Sequence, residues 1–236
     1  PREGFVLDEF RFSPVKLIDV AGIVPGAHEG KGLGLQFLDD LRQADALIHV
    51  VDCSGSTNEK GESVEPGAHD PCADVRFLEN ELDQWYLGIL KKSWQKFSRS
   101  MQQVSGKVYE AIAKQMSGLN VTEDAAKYSI LKLKLPEKPQ DWTEQQMLAL
   151  ARDLRLATKP MLIAANKMDL PTSSANLAKL KETFPDLHIV ACTADLELAL
   201  REATKKELIK YVPGSDSFEI IGNLEPNQQK GLDYIA

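Results

Sequence analysis

No stretch of this chain is apolar enough to cross a bilayer. A membrane helix needs roughly 20 apolar residues, and the longest apolar run, Ala46 to Val51, is interrupted by His49 and has the length of a strand. Cysteine is sparse: Cys53, Cys72 and Cys192 are odd in number, widely spaced and form no Cys-x-x-Cys pair. That pattern indicates neither a disulfide framework nor a zinc ribbon, and it fits a reducing, cytoplasmic compartment. Positive charge is in deficit, with 28 Lys and Arg against 35 Asp and Glu, a net charge of −7. The balance argues against a strongly basic binder of DNA or RNA, while leaving room for a local basic patch. No secretory signal is legible, the first residue is Pro1 and the first methionine is Met101, so the sequence is expected to start inside a longer protein.

What is present suits a folded domain. With 236 residues, 43% of them hydrophobic and 27% charged, the chain can build a core as one domain with an insert or as two small domains. The first dozen residues read as a strand or hairpin leading to a short apolar strand at Val15–Ile18, closed by Asp19. A glycine-rich loop spans Gly22–Gly34, and Phe37, Leu38 and Leu41 follow at helical spacing. Ala46–Asp52 is apolar along most of its length, as in a parallel strand covered on both faces. After a polar loop from Ser54 to Pro71 the period changes. Val75, Leu78, Leu82, Trp85 and Ile89 mark one helix face, which Asp74 can cap. Further helices are expected near Val104–Met116, after Thr122, and after a capping box at Thr143–Gln146. Strand signals return at Met161–Ala165 and His188–Ala191, alternating with helices at Ala175–Glu182 and Asp195–Lys206.

Strand–helix alternation predicts an α/β fold with a mostly parallel sheet. The helical stretch interrupts it, and the sequence separation of Asp19 and Asn166 far exceeds the ~30 residues of one strand–helix–strand unit. The expected partition is 1–69, a helical insertion at 70–158, and 159–236.

Three segments close predicted strands, where ligands of parallel α/β sheets bind. Asp19-Val20-Ala21-Gly22 puts a carboxylate where it can hold Mg²⁺ through water, and a glycine where a backbone N–H can approach a terminal phosphate. Alone, the pattern equally suits an Asp capping a turn. Asn166-Lys167-Met168-Asp169 carries the more specific chemistry. The Asp169 carboxylate can accept both N1–H and N2–H₂ of guanine, a pair that adenine cannot supply. The Lys167 stem can cover the base, and Asn166 can tie neighbouring loops. In Cys192-Thr193-Ala194, a small hydroxyl residue followed by alanine lets backbone N–H groups face guanine O6.

In this order the segments resemble the signature of P-loop GTPases. Asp19–Gly34 with Phe37–Arg42, followed by Leu47–Asp52, is similar to the switch II region of Obg-related GTPases and most similar to the YchF-like branch, in its archaeal form. The resemblance implies a P-loop GTPase-type sheet with an inserted all-helical subdomain, and a cytoplasmic switch that hydrolyses GTP to GDP and phosphate with Mg²⁺, linked to the ribosome or translation. Asp19 and Gly22 are then the catalytic pair, Asp19 the Mg²⁺ residue, and Asn166, Lys167, Asp169, Thr193 and Ala194 the nucleotide-binding set. Two alternatives stay open: a nucleotide-gated module for ribosome or ribosomal RNA with negligible hydrolysis, or an ATPase of the same family. The phosphate loop Gly-x-x-x-x-Gly-Lys-[Ser/Thr] is absent from the sequence, since Gly30-Lys31 is followed by Gly32. The family's phosphate loop is expected before Pro1 and its TGS domain after Ala236, so this stretch alone is expected to be inactive. Ile23 follows Gly22 where Ras-like proteins carry a water-orienting glutamine. The attacking water then needs another guide: a residue outside this sequence, a monovalent cation such as K⁺, or a partner.

Other residues invite blander readings. His28 reads as a solvent-facing loop residue and His49 as a hydrogen-bonded core histidine. His69, Asp70 and Cys72 are a one-sided cluster for a metal, Trp85, Tyr86, Trp94 and Phe97 a helical packing face, and Lys91, Lys92, Lys96 and Arg99 a solvated basic cluster.

Overall fold

The computed structural model describes residues 5–7, 10–20, 40–92, 94 and 107–235. The described chain opens with an antiparallel hairpin of β1 (Phe5–Leu7) and β2 (Phe10–Phe12). The central sheet is parallel, in the order β3 (Leu47–Asp52), β4 (Met161–Asn166), β5 (His188–Ala191). Its register sets Asp52 beside Asn166 and Ala165 beside Ala191, so three neighbouring strands end at one edge. Between β3 and β4 the described elements are helices: α1 (Pro71–Lys91), α2 (Val108–Gln115), α3 (Glu123–Lys132) and α4 (Glu144–Thr158), with two short 3-10 turns. After β4 come α5 (Ser173–Thr183), β5 and α6 (Ala194–Lys205). A second hairpin of β6 (Ile209–Tyr211) and β7 (Phe218–Ile220), then α7 (Pro226–Ile235), complete the described chain. The fold is α/β, a parallel sheet with flanking helices and an all-helical insertion.

Helix α1 joins the two halves. Its first turn starts at Asp70, whose carboxylate accepts the Cys72 N–H at 3.0 Å, and Pro71 sits at the first helical position, where its missing N–H costs nothing. The cap is therefore Asp70. Asp74, expected in that role, lies inside the first turn and instead meets His69 Nε2 at 2.7 Å. Cys72 and Val75 pack with Val51, Ile163, Ala165 and Leu180 beneath the sheet. Further along, Leu78, Leu82, Trp85 and Leu90 belong to the helical core with Ile112, Met116, Leu150 and Leu154. Trp85 and Tyr86 meet edge to face at 5.4 Å, and Trp94 packs on Trp142 at 5.1 Å, so these rings are packing residues; Phe97 lies outside the described residues. The Thr143 capping box of α4 forms with both of its bonds.

Residues 40–43 form a helical turn just after the glycine-rich stretch. Leu41 is buried in the core of the insertion. Lys159, itself buried at the end of α4, donates to the carbonyls of Arg42 (3.3 Å) and Ala44, closing that turn from below. Burial pulls its ammonium pKa down, opposed by nearby Asp45. Lys159→Met should cost about 1–3 kcal/mol, because it leaves those carbonyls without their donor; a shift of the urea midpoint at constant slope would report it.

Two strand expectations change. Val15–Ile18 forms no strand: residues 13–20 carry no ladder, and Val15 and Leu17 are 77% and 76% exposed. A strand exists only through a partner, and none of the described strands pairs with this one. Nor is β3 covered on both faces, since Ile48 and Val50 share one face and both are exposed, at 60% and 61%. It pairs only with β4 among the described strands. The glycine-rich loop, Gly22, Ile23 and His28 lie outside the described residues. No described helix is long and apolar enough to cross a membrane.

Candidate functional site

The loops after β4 and β5 lie against each other at the carboxyl edge of the sheet. The Cys192 N–H donates to Ala165 O at 2.9 Å, and the Met168 N–H donates to Cys192 O at 3.3 Å. The Asn166 side-chain oxygen accepts the Ala194 N–H at 2.9 Å and the more distant Cys192 thiol at 3.9 Å. One carboxamide therefore ties the Asn166–Asp169 turn to the Cys192–Ala194 turn. It also occupies the Ala194 N–H, which the sequence pattern aims at a base oxygen. Thr193 is extended and starts α6, its carbonyl accepting the Glu197 N–H at 3.0 Å. Asp169 is exposed at the tip of its turn.

Lys167 is held at both ends. Its backbone has φ +63°, a left-handed conformation that costs a non-glycine residue about 1–2 kcal/mol. The Ser173 hydroxyl donates to its carbonyl at 2.6 Å. Its ammonium donates to Asp52 Oδ2 at 2.9 Å and to the hydroxyls of Ser56 and Thr57, each at 3.2 Å. Asp52 also accepts the Ser54 hydroxyl at 2.5 Å and N–H at 3.0 Å, and the Ser56 hydroxyl at 3.0 Å. Burial raises the Asp52 carboxyl pKa, but the hydrogen bonds from Lys167, Ser54, Thr57 and Ser56 together outweigh it and hold the group well below the usual carboxylate range. Sequence reasoning missed this cluster. Its signal was Asp52 closing an apolar strand as Asn166 does, with Ser54, Ser56 and Thr57 just beyond.

A cavity of about 350 Å³ opens beside this cluster, lined by His49, Asp52, Asp74, Phe77, Asn166 and Lys167 among others. A larger cavity, about 570 Å³, lies away from the strand ends between α6, β7 and α7, and none of the strand-end residues lines it. Asp19 closes the 13–20 segment in an exposed position, and no hydrogen bond links it to the described residues of the β4–β5 rim. Gly22 is outside the described residues. Asp70, which caps α1, also pairs with Lys179 at 2.8 Å, so with His69 bound to Asp74 these groups serve the helix start. No cluster among the described residues is arranged to hold a metal. Lys91 pairs with Glu144, while Lys96 and Arg99 are outside the described residues.

His49 departs from expectation. Its Nδ1 is shut off from solvent, yet finds no hydrogen-bond partner among the described residues. Burial pulls its pKa down to about 4. The unfolded chain takes up this proton near pH 6.5, the native state only near 4, so in that window the unfolded state binds more protons and stability falls with falling pH. About 3 kcal/mol is at stake across that window. His49→Gln should flatten that acid slope in urea melts taken across the same range.

Residues 164–236 match the family model of the G4-motif-containing domain of YGR210-like Obg-like GTPases, and residues 5–80 match that of the 50S ribosome-binding GTPases. The chain is 46% identical to an uncharacterized GTP-binding protein of Methanocaldococcus jannaschii, over 100% of this chain and 58% of the relative. It is 28% identical to the ribosome-binding ATPase YchF of Bacillus subtilis, over 80% of this chain and 51% of that protein. The crystal structure of a GTP-binding protein from Pyrococcus horikoshii superposes with a TM-score of 0.77 at 36% identity, covering 100% of this chain and 61% of the other. The chain thus spans little more than half the length of these curated relatives.

Proposed function

This chain belongs to the Obg- and YchF-like GTP-binding proteins, and from that premise we propose that the protein binds GTP through the rim formed by the β4 and β5 loops and hydrolyses it to GDP and phosphate as a molecular switch in the cytoplasm. The observation that carries the reading is the Asn166 lock. It fixes the turn that bears Asp169 and leaves that carboxylate exposed, where it can accept N1–H and N2–H₂ of guanine. Lys167 offers its stem to the base face, and Thr193 and Ala194 are assigned to the border of the base pocket. Asp19 is exposed and in no ion pair with a described residue, so it is a hard-oxygen donor of the kind Mg²⁺ takes, here through water. When bound, Mg²⁺ would neutralise phosphate charge. Gly22 is assigned the terminal-phosphate N–H, and K⁺ is one candidate for the catalytic help that Ile23 cannot give.

The proposed partition is a first GTPase part at 1–69, a helical insertion at 70–158 and a second GTPase part at 159–236. Equilibrium titration of the full-length protein tests the base reading. GTP should bind about 100-fold more tightly than ATP, the discrimination that a matched buried polar pair provides. Equal affinities would overturn it in favour of the ATPase alternative, which the name of the Bacillus relative raises. That name also supports a second reading, a nucleotide-gated module that docks on the ribosome or its RNA. Co-sedimentation with ribosomes should then be stronger with a GTP analogue than with GDP, and equal pelleting would refute a switch.

A further inference from the structure

We propose that Asp52 is a positioning residue for the nucleotide base, holding the Lys167 ammonium to one side so that the lysine stem lies as a fixed apolar strip against the purine. The inference rests on the guanine-site reading above. An ammonium has three protons, and Lys167 finds three acceptors: Asp52 Oδ2 at 2.9 Å, Ser56 Oγ at 3.2 Å and Thr57 Oγ1 at 3.2 Å. Its donors are spent within the protein, so its charge is balanced locally and not offered to a phosphate. The other end of the residue is pinned through Ser173 Oγ to the Lys167 carbonyl at 2.6 Å. Only the methylene stem is left to touch a ligand.

The acceptors are themselves fixed. Thr172 Oγ1 donates to Ser54 O at 2.8 Å, and Asn176 Nδ2 donates to Cys53 O at 2.9 Å, which fastens the 53–57 loop to the start of α5. Behind it the Gly67 and His69 N–H groups donate to Ser54 O and Gly55 O at 2.9 and 3.1 Å. Gly55 has φ +64°, and a Cβ there would stand 2.4 Å from His69 O, so only glycine lets the loop close this tightly. The pair is thus built in advance of any ligand, and little further entropy is lost from the stem at the moment of binding.

A strip of methylene groups covers a purine face without reading its edge. Asp52→Asn in the full-length protein should therefore weaken guanosine and inosine diphosphates by the same factor, about tenfold. On a Lys167→Met background the same substitution should change neither affinity, because Asp52 acts through the ammonium that methionine lacks. Wild-type affinity in Asp52→Asn overturns the proposal, and so does a tenfold loss that persists when Asp52→Asn is added to Lys167→Met. If Asp52→Asn does not fold, Thr57→Val removes one of the three acceptors and should give about a threefold loss that also vanishes with Lys167→Met; no loss there overturns the proposal. A wild-type protein that binds no guanosine diphosphate overturns the guanine reading and this inference with it, whereas wild-type binding with additive variants overturns the inference alone.

Discussion

Asp169→Asn is expected to turn the full-length protein from guanine towards xanthine nucleotides. A carboxylate only accepts, which suits the two donors on the guanine edge. A carboxamide accepts at its oxygen and donates at its nitrogen, which suits the N1–H and C2 carbonyl of xanthine. GTP affinity should fall by about 100-fold or more, since one donor of the base is left facing another donor. Xanthosine triphosphate should gain at the same time, a reversal that general damage to the site cannot produce. Stability should change by less than about 0.5 kcal/mol, because Asp169 is exposed and the turn is held by other groups. Those groups are Asn166, bound to Ala194, and the backbone bonds from Leu170 N–H to Lys167 O and from Ser173 N–H to Leu170 O. Parallel titrations of wild type and variant with GTP and xanthosine triphosphate check both halves. An unchanged preference removes Asp169 from the base pocket.

The features legible in the sequence were those whose cause is local. The capping box at Thr143–Gln146 and the apolar face of α1 depend on spacings of three and four residues. Both stand in the structure where the spacing predicts them. The runs at Met161 and His188 are strands because they are apolar and bounded by turns, and their order alone implied a parallel sheet. What failed were statements about partners. Val15–Ile18 has the composition of a strand, but composition does not supply a neighbour. His49 sits in an apolar run, but whether its ring finds an acceptor depends on what α1 presents to it. The β6–β7 hairpin went unread because strands of three residues are too short for a period-two signal.

The candidate site divides the same way. The placement of Asn166, Lys167, Asp169 and the Cys192–Ala194 turn at strand ends was readable because each follows a recognisable strand. The ion pair of Lys167 with Asp52 joins residues 115 positions apart and becomes visible only once β3 and β4 lie in register. The helical insertion carries a related lesson. Lys159 and Leu41 attach the turn at 40–43 to the insertion, and Val20 packs against the same core. Residues on either side of 21–39 thus reach the core that the inserted helices share.

The other large expected effect lies inside that insertion, where Arg155 is almost fully buried between α1 and α4. Its Nε meets Asp83 Oδ1 at 2.6 Å and its Nη2 meets Glu79 Oε1 at 3.1 Å, while Nη1 has no partner among the described residues. Removing one member of a buried pair costs more than the pair contributes, because the other charge stays behind. The two members differ, however, in what they can do when left alone. A guanidinium cannot give up its proton, so Asp83→Ala should cost about 3–5 kcal/mol. A carboxyl can take one up. Burial already raises the Asp83 pKa, against the pull of Arg155. In Arg155→Met it should rise further and the group should neutralise, at a smaller cost of about 1–3 kcal/mol. A carboxyl whose folded pKa lies above its unfolded value contributes its stability at low pH and loses it as pH rises through the folded pKa. The deficit of Arg155→Met should therefore shrink as the pH falls, and that of Asp83→Ala should not. Urea melts of both variants across a pH series give the comparison. Equal deficits with equal pH response would overturn the neutralisation of Asp83.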